Sequence, residues 1–210
     1  MSEAVDWLHY EQELYDQGIK LIAGVDEVGR GPLAGDVYAA AVILPPDLKI
    51  SGINDSKKLT PKKREILYKE IKAQAISIGI GMANVAEIDQ HNILNATKLA
   101  MLRAVVHLNP QPQHLLIDWL NINSAISQTK ITKGDTLSLS IAAASIVAKV
   151  ERDMYMKTLA EKYPHYGFET NAGYGTKAHL AAIEAHGYIK GIHRTSFEPI
   201  KSMYAKEQAQ

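Results

Sequence analysis

Cysteine is absent from the 210 residues. That excludes disulfides, thiolate metal sites and cysteine nucleophiles. An excess of either charge is also missing, because 23 Lys and Arg balance 23 Asp and Glu. The chain therefore lacks the overall basic character of many nucleic-acid binders, although a basic face can coexist with gathered acids. No apolar run approaches the roughly 20 residues that cross a bilayer. Met1 to Gln17 carries acids and has no apolar centre, so it does not read as a signal peptide. There are no repeats, low-complexity tracts or clear linkers. A phosphate loop of the Gly-x-x-x-x-Gly-Lys-Ser/Thr kind is absent too, which argues against a small nucleotide-binding α/β protein. A soluble, cytoplasmic chain with no membrane association is expected.

What is present suits an ordinary globular domain: 46% hydrophobic and 22% charged residues, enough for a normal core in one domain with a modest helical appendage. Trp7, Tyr10, Leu14 and Tyr15 recur at helical spacing over about residues 3 to 17. Leu21 to Val25 predicts a strand ending at Asp26-Glu27, and Val37 to Leu44 a second, closed by Pro45-Pro46. Thr60-Pro61 opens a helix running to about Gln74. Ala75 to Met82 alternates like a strand, and Ile93 to Leu108 has helical periodicity. His114 to Ile117 and Thr129 to Thr132 complete five expected strands. Ser138 to Tyr163 and Thr176 to His186 read as helices. The order predicts an α/β fold, a mixed sheet of about five strands flanked by helices with a C-terminal helical region. The divisions expected are an N-terminal helix over 1–18, a catalytic domain over 19–164, and a helical region over 165–210 packed on the same domain.

Acids recur where such strands end. Asp26 and Glu27 close the first strand, Asp118 closes Leu115-Leu116-Ile117, and Asp135 stands at the mouth of the long helix. Acids at successive strand ends collect at one edge of a sheet, where open α/β folds place their sites. Neighbouring strand residues point to opposite faces, so Asp26 and Glu27 share a site only if the strand ends or bends there. Phosphodiester hydrolysis gives such a cluster a purpose: two divalent cations roughly 4 Å apart activate water and stabilise the departing oxygen. Mg²⁺ takes oxygen ligands and keeps waters, which suits carboxylates plus a substrate phosphate. Each acid alone also fits a plainer role. A strand-end acid is often a solvated turn residue, and Asp135-Thr136 before a helix also fits an N-cap. Asp153 has Lys149 and Lys157 four residues to either side, the spacing of a surface ion pair, and is read as structural.

Two glycine-flanked residues stand near this pattern. Gly29-Arg30-Gly31 is not a dinucleotide fingerprint, because Pro32 interrupts it and a strand follows instead of a helix. Its glycines expose main-chain N–H groups and permit close approach of a sugar-phosphate, though a structural tight turn fits as well. Gly173-Tyr174-Gly175-Thr176 puts an aromatic between glycines just before a helix, where it can stack on a sugar or base or serve as a plain loop residue.

Taken together, the run Asp26-Glu27-Val28-Gly29-Arg30-Gly31-Pro32-Leu33-Ala34-Gly35, then Asn54-Asp55-Ser56-Lys57-Lys58-Leu59, Ile117-Asp118, Lys133-Gly134-Asp135, the stretch Ser140 to Val150, Gly173-Tyr174-Gly175-Thr176 and His193-Arg194-Thr195-Ser196-Phe197 resembles the ribonuclease HII family. The matches keep family order over about residues 20 to 200. The resemblance implies an RNase H-like fold and a metal-dependent endonuclease that cuts the RNA strand of RNA–DNA hybrids and nicks DNA duplexes 5′ of embedded ribonucleotides. It implies that Asp26, Glu27, Asp118 and Asp135 are the catalytic, metal-holding carboxylates for two Mg²⁺ or Mn²⁺ ions. It further implies that Gly29, Arg30 and Gly31 read the 2′-hydroxyl, that Tyr174 stacks on the following deoxyribose, and that Lys57 and Lys58 hold backbone phosphates. The family's usual Gly after the third acid is Trp119 here. The tail from Lys201 shows no sliding-clamp-binding motif, and a monomer without an obligate protein partner is expected. The sister enzyme ribonuclease HIII carries an extra N-terminal domain, for which the 25 residues before Asp26 leave no room.

Overall fold

The computed structural model describes residues 6–48, 50–53 and 56–209. Asn54-Asp55 and the expected start of the first helix at residue 3 therefore lie outside the described residues. The elements are α1 (His9–Asp16), β1 (Ile22–Val28), β2 (Val37–Ile43), α2 (Pro61–Gln74), β3 (Ser77–Ala83), α3 (Val85–Val106), β4 (His114–Asp118), β5 (Ser127–Ile131), α4 (Leu139–Lys162), α5 (Phe168–Asn171), α6 (Lys177–His186) and α7 (Ile200–Gln208). Five strands form one sheet in the order β3-β2-β1-β4-β5. β1 pairs antiparallel with β2 and β2 with β3, while β4 runs parallel to both β1 and β5. The sheet is mixed and helix-flanked, as the sequence predicts.

Strand alternation sorts the core into two layers. Val37, Ala39, Ala41 and Ile43 of β2 join Ala23, Val25, Leu115 and Ile117 under α3. Ala40 and Val42 face α4 and α2. The small residues in these strands let helices approach closely. At Gly24 a side-chain carbon would stand 2.0 Å from the main chain of Ser140, so any larger residue there would push α4 off the sheet. A third apolar group, with Phe168, Ile183 and Ile200 fully or nearly fully buried, ties the C-terminal helices to Leu33, Ala34 and α4. Among the described residues no helix is long and apolar enough to cross a membrane.

Two helices differ from expectation, for local reasons, while α4 keeps its expected start at Ser138. α3 starts at Val85, eight residues before the expected Ile93, because Asn84 and Glu87 form a capping box. The helix breaks at Asn92 (φ 65°), so the apolar periodicity from Ile93 belongs to its second half. α4 is capped by Ser138, whose hydroxyl accepts from the Ile141 N–H, and not by Asp135, which lies in the short 3₁₀ turn Gly134–Thr136. α7 was not expected, although Pro199 just ahead of Ile200 is a helix-start signal.

Candidate active site

β1 runs one residue past its predicted end at Asp26-Glu27, to Val28. In the parallel pair, Val25 is level with Ile117, so Asp26 and Asp118 occupy equivalent places at the ends of neighbouring strands. By the alternation both belong to the α4 face. Asp26 is buried, and its carboxyl is held well above the usual carboxylate range by burial first, then by the Glu27 and Asp118 charges; hydrogen bonds from Ser145 and the Glu27 N–H oppose the rise. Asp118 is also raised by burial, with the Gly134 N–H (2.8 Å) and Lys57 opposing and Asp135 adding to it. Asp135 is buried beside this edge. Three of the four acids therefore share a face, and the polar surroundings only partly offset their mutual repulsion.

Glu27 sits differently because the strand continues. Its position places it on the α3 face, where the Trp119 indole N–H donates to both carboxylate oxygens (3.0 and 3.1 Å). Arg30 Nη1 lies 3.7 Å from the same carboxylate, and the Arg30 guanidinium covers the Trp119 ring at 4.0 Å. Burial raises the Glu27 carboxyl, and Trp119 and Arg30 restrain the rise. Trp119, the departure from the family pattern, is thus the principal partner of the second acid. Among the described residues no three acidic or imidazole groups stand close enough to enclose an ion. The donor chemistry nevertheless suits Mg²⁺ or Mn²⁺: hard oxygen ligands only, in surroundings that disfavour uncompensated negative charge.

The Gly29-Arg30-Gly31 turn leaves β1 beside these acids. Gly29 has φ +92°, and a side-chain carbon there would collide with Arg152 at 2.1 Å, so only glycine serves. A carbon on Gly31 would stand 3.4 Å from the Tyr174 ring, which is 47% exposed. Turn and tyrosine thus form one surface. Lys57 and Lys58 are exposed on the loop before α2. The preceding Ser56 is tied to the site through Ser145, whose hydroxyl bonds that of Ser56 at 2.9 Å. Asp153 bonds Lys149 at 2.5 Å and lies 3.6 Å from Arg64, in keeping with a structural ion pair.

Several supporting residues escaped the sequence reading. Arg194 is fully buried and donates to the carbonyls of Gly29 (2.6 Å), Arg30 (2.8 Å) and Gly35 (2.7 and 3.0 Å). Burial pushes its guanidinium down to about 9, so it stays charged at neutral pH. Arg152 donates to the carbonyls of Ala34, Asp36 and Ala172, joining the same turn to the Tyr174 loop. Asp89 accepts four bonds from Thr195 and Ser196 and anchors the segment that presents Arg194. Glu11, fully buried on α1, accepts from the Ser138 hydroxyl and the Ser140 N–H at the start of α4. The His193–Phe197 run was part of the resemblance but carried no role there; nothing in its local pattern distinguishes a buried arginine from an exposed one.

Residues 23–200 match the family model for ribonuclease HII. The chain is 59% identical to a ribonuclease HII of Bacillus cereus (strain Q1) over 197 residues, which covers 94% of this chain and 76% of that one. Its fold is similar to the ribonuclease H2 from Pyrococcus horikoshii OT3, with TM-score 0.75 and 24% identity over 90% of this chain and 99% of that one. It is also similar to a Bst-RNase HIII in complex with Mn²⁺, with TM-score 0.65 and 19% identity over 91% of this chain and 71% of that one. Matched over most of its length by the family model and over nearly all of it by a close relative, the chain belongs to the ribonuclease HII family and is a ribonuclease H.

Proposed function

We propose that the protein hydrolyses the RNA strand of RNA–DNA hybrids and nicks DNA duplexes on the 5′ side of embedded ribonucleotides, leaving 5′-phosphate and 3′-hydroxyl ends. The observation that carries the reading is the juxtaposition of Asp26 and Asp118 at the ends of adjacent parallel strands, beside the Gly29-Arg30-Gly31 turn. Asp26, Asp118 and Asp135 would hold two divalent ions, Mg²⁺ or Mn²⁺, and Glu27, although it leaves the strand on the other face, would join them across the strand edge, where its carboxyl lies close enough to feel the Asp118 charge. When bound, the ions activate water and offset charge on the departing 3′-oxygen. Residues 19 to 164 then carry the chemistry, and residues 165 to 210 supply Tyr174.

The remaining work belongs to the chain itself. Arg194 and Arg152 hold the turn so that its main-chain groups face the minor groove, where a ribose 2′-hydroxyl can both donate and accept. Lys57 and Lys58 contact backbone phosphates, which places the duplex without reading its sequence. Lys57 lies close enough to Asp118 to favour that carboxylate's charged form. Tyr174, next to Gly31, lies against the sugar that follows the ribonucleotide. A 2′-hydroxyl on that sugar would meet the ring, so a deoxyribose is preferred there.

Tyr174→Ala tests this division of labour. Cleavage at an isolated ribonucleotide should fall about tenfold or more, the scale of a lost stacking contact, while cleavage within a long RNA tract falls much less. Initial rates on both substrates are compared at one salt concentration, since salt alone shifts phosphate-driven affinity. EDTA should abolish both activities. An equal fractional loss on the two substrates would remove the junction-checking role from Tyr174.

A further inference from the structure

Behind Tyr174 lie two fully buried histidines that none of the steps above uses, His179 on α6 and His193. Their Nε2 atoms are 3.1 Å apart. The other nitrogen of each meets main chain. His193 Nδ1 is 2.8 Å from the Ile189 nitrogen, and His179 Nδ1 is 2.8 Å from the Tyr174 carbonyl oxygen. A peptide N–H can only donate and a carbonyl can only accept, which fixes every hydrogen in the chain. His193 Nδ1 must be bare to accept from Ile189, so its hydrogen is on Nε2. That hydrogen points at His179 Nε2, which must also be bare. The His179 hydrogen is then on Nδ1 and donates to Tyr174. One tautomer assignment satisfies all three bonds, with both rings neutral. Burial agrees, pushing His193 down to about 4 and lowering His179 as well.

The relay joins the two halves of the substrate surface. At one end is the carbonyl of Tyr174. At the other, His193 bridges Ala34, and the next residue, Arg194, holds the carbonyls of Gly29 and Arg30. Phe168 and Tyr166 stand edge-on to the His179 ring, at 5.4 and 6.4 Å between centroids, and keep it in plane. The Tyr174 carbonyl also accepts from the Thr176 N–H (2.8 Å), so loss of the His179 bond leaves the loop attached but free to shift.

We propose that His179 and His193 are positioning residues, a hydrogen-bond relay of fixed direction that sets where the Tyr174 ring stands relative to the Gly29–Gly31 turn and thereby tunes selection of the RNA-to-DNA junction. The junction part rests on the reading of Tyr174 given above. The direction of the relay makes opposite demands on its two members. At position 179 the essential group is a donor at the Nδ1 place, which asparagine supplies and glutamine does not. At position 193 it is a donor at the Nε2 place, which glutamine supplies and asparagine does not.

The test measures kcat/KM on a duplex with one ribonucleotide for His179→Asn, His179→Gln, His193→Asn and His193→Gln, with a thermal melt of each. The expected order is Asn above Gln at 179 and Gln above Asn at 193, with the poorer variant of each pair down about tenfold, the cost expected of a misplaced substrate-contacting ring. In a Tyr174→Ala background each poorer variant should cost little more, because the group it positions is gone. A packing role would rank the amides by size, in the same order at both positions, and would add its full loss to that of Tyr174→Ala; either result overturns the relay. If one poorer variant fails to fold, the pair at the other position carries the same decision. If the crossed order holds but Tyr174→Ala costs both substrates equally, the relay stands as a positioning device and its junction role is overturned.

Discussion

Asp26→Asn should reduce cleavage of any substrate by on the order of 10³-fold or more, because removing the proposed metal ligand would forfeit several kcal/mol of charge stabilisation and each ~1.4 kcal/mol is a factor of ten. The same substitution should raise the melting temperature of the metal-free protein. The Asp26 carboxyl is held well above its usual range by burial and by the Glu27 and Asp118 charges. The folded state therefore binds a proton that the unfolded state has released, and stability falls as pH rises from the ordinary carboxylate range through the raised folded value. Asparagine has nearly the same shape and no charge to bury. The gain should appear at neutral pH, at roughly 2–4 °C per kcal/mol for a chain of this length, and shrink in acid, where the aspartate is protonated in both states. Melts in EDTA at neutral and acidic pH read this directly. A destabilised variant at neutral pH would mean that Asp26 acts as a structural hydrogen-bond acceptor and not as a strained, metal-ready carboxylate.

The second large effect is expected far from the acids in sequence. Arg194→Lys keeps the charge but cannot reproduce a planar group that reaches the carbonyls of Gly29, Arg30 and Gly35 at once. At least one buried carbonyl loses its partner, at a cost of roughly 1–3 kcal/mol each, and the turn is released. The melting temperature should fall by about 2–12 °C on the same scale, and cleavage by about 10²-fold, the order expected when a reacting group is displaced by about 1 Å. Added substrate should recover little of that loss, since in the proposed reading the turn places the ribose and does not merely hold the duplex. A variant that melts and cleaves like the parent would show that the turn is held by its own glycine geometry and by Arg152.

How much of this was legible in the sequence follows from the range of each interaction. The strands and α4 were readable because their periodicity and caps are local: Ser138 before a long apolar helix, and Thr60-Pro61 before α2. The first half of α3 was missed even though its capping box, Asn84 to Glu87, is equally local, because the break at Asn92 interrupts the apolar rhythm. The placement of Asp26 and Asp118 at strand ends could be read, whereas their adjacency depends on a parallel pairing between strands about 90 residues apart. Glu27 shows the limit most clearly. Alternation required either a strand end or a bend, the strand instead continues to Val28, and the partner awaiting Glu27 is Trp119. Arg152, Arg194 and the two histidines could not be found from pattern alone. Each is polar and fully buried or nearly so; the arginines are satisfied chiefly by main chain more than 100 residues away, and the histidines by each other across 14 residues and by loop main chain four and five residues away, and such pairing leaves no periodic trace.

The most direct test of the account is to map the cut on a DNA duplex carrying one ribonucleotide, incubated with the protein and either Mg²⁺ or Mn²⁺. The account predicts a single nick at the 5′ side of the ribonucleotide, with a 3′-hydroxyl upstream and a 5′-phosphate on the ribonucleotide, and no nick in EDTA or on the all-DNA duplex. A nick on the 3′ side bearing a cyclic 2′,3′-phosphate would contradict it, because the 2′-hydroxyl would then be the nucleophile and the carboxylate edge at Asp26 and Asp118 would have no part in activating water.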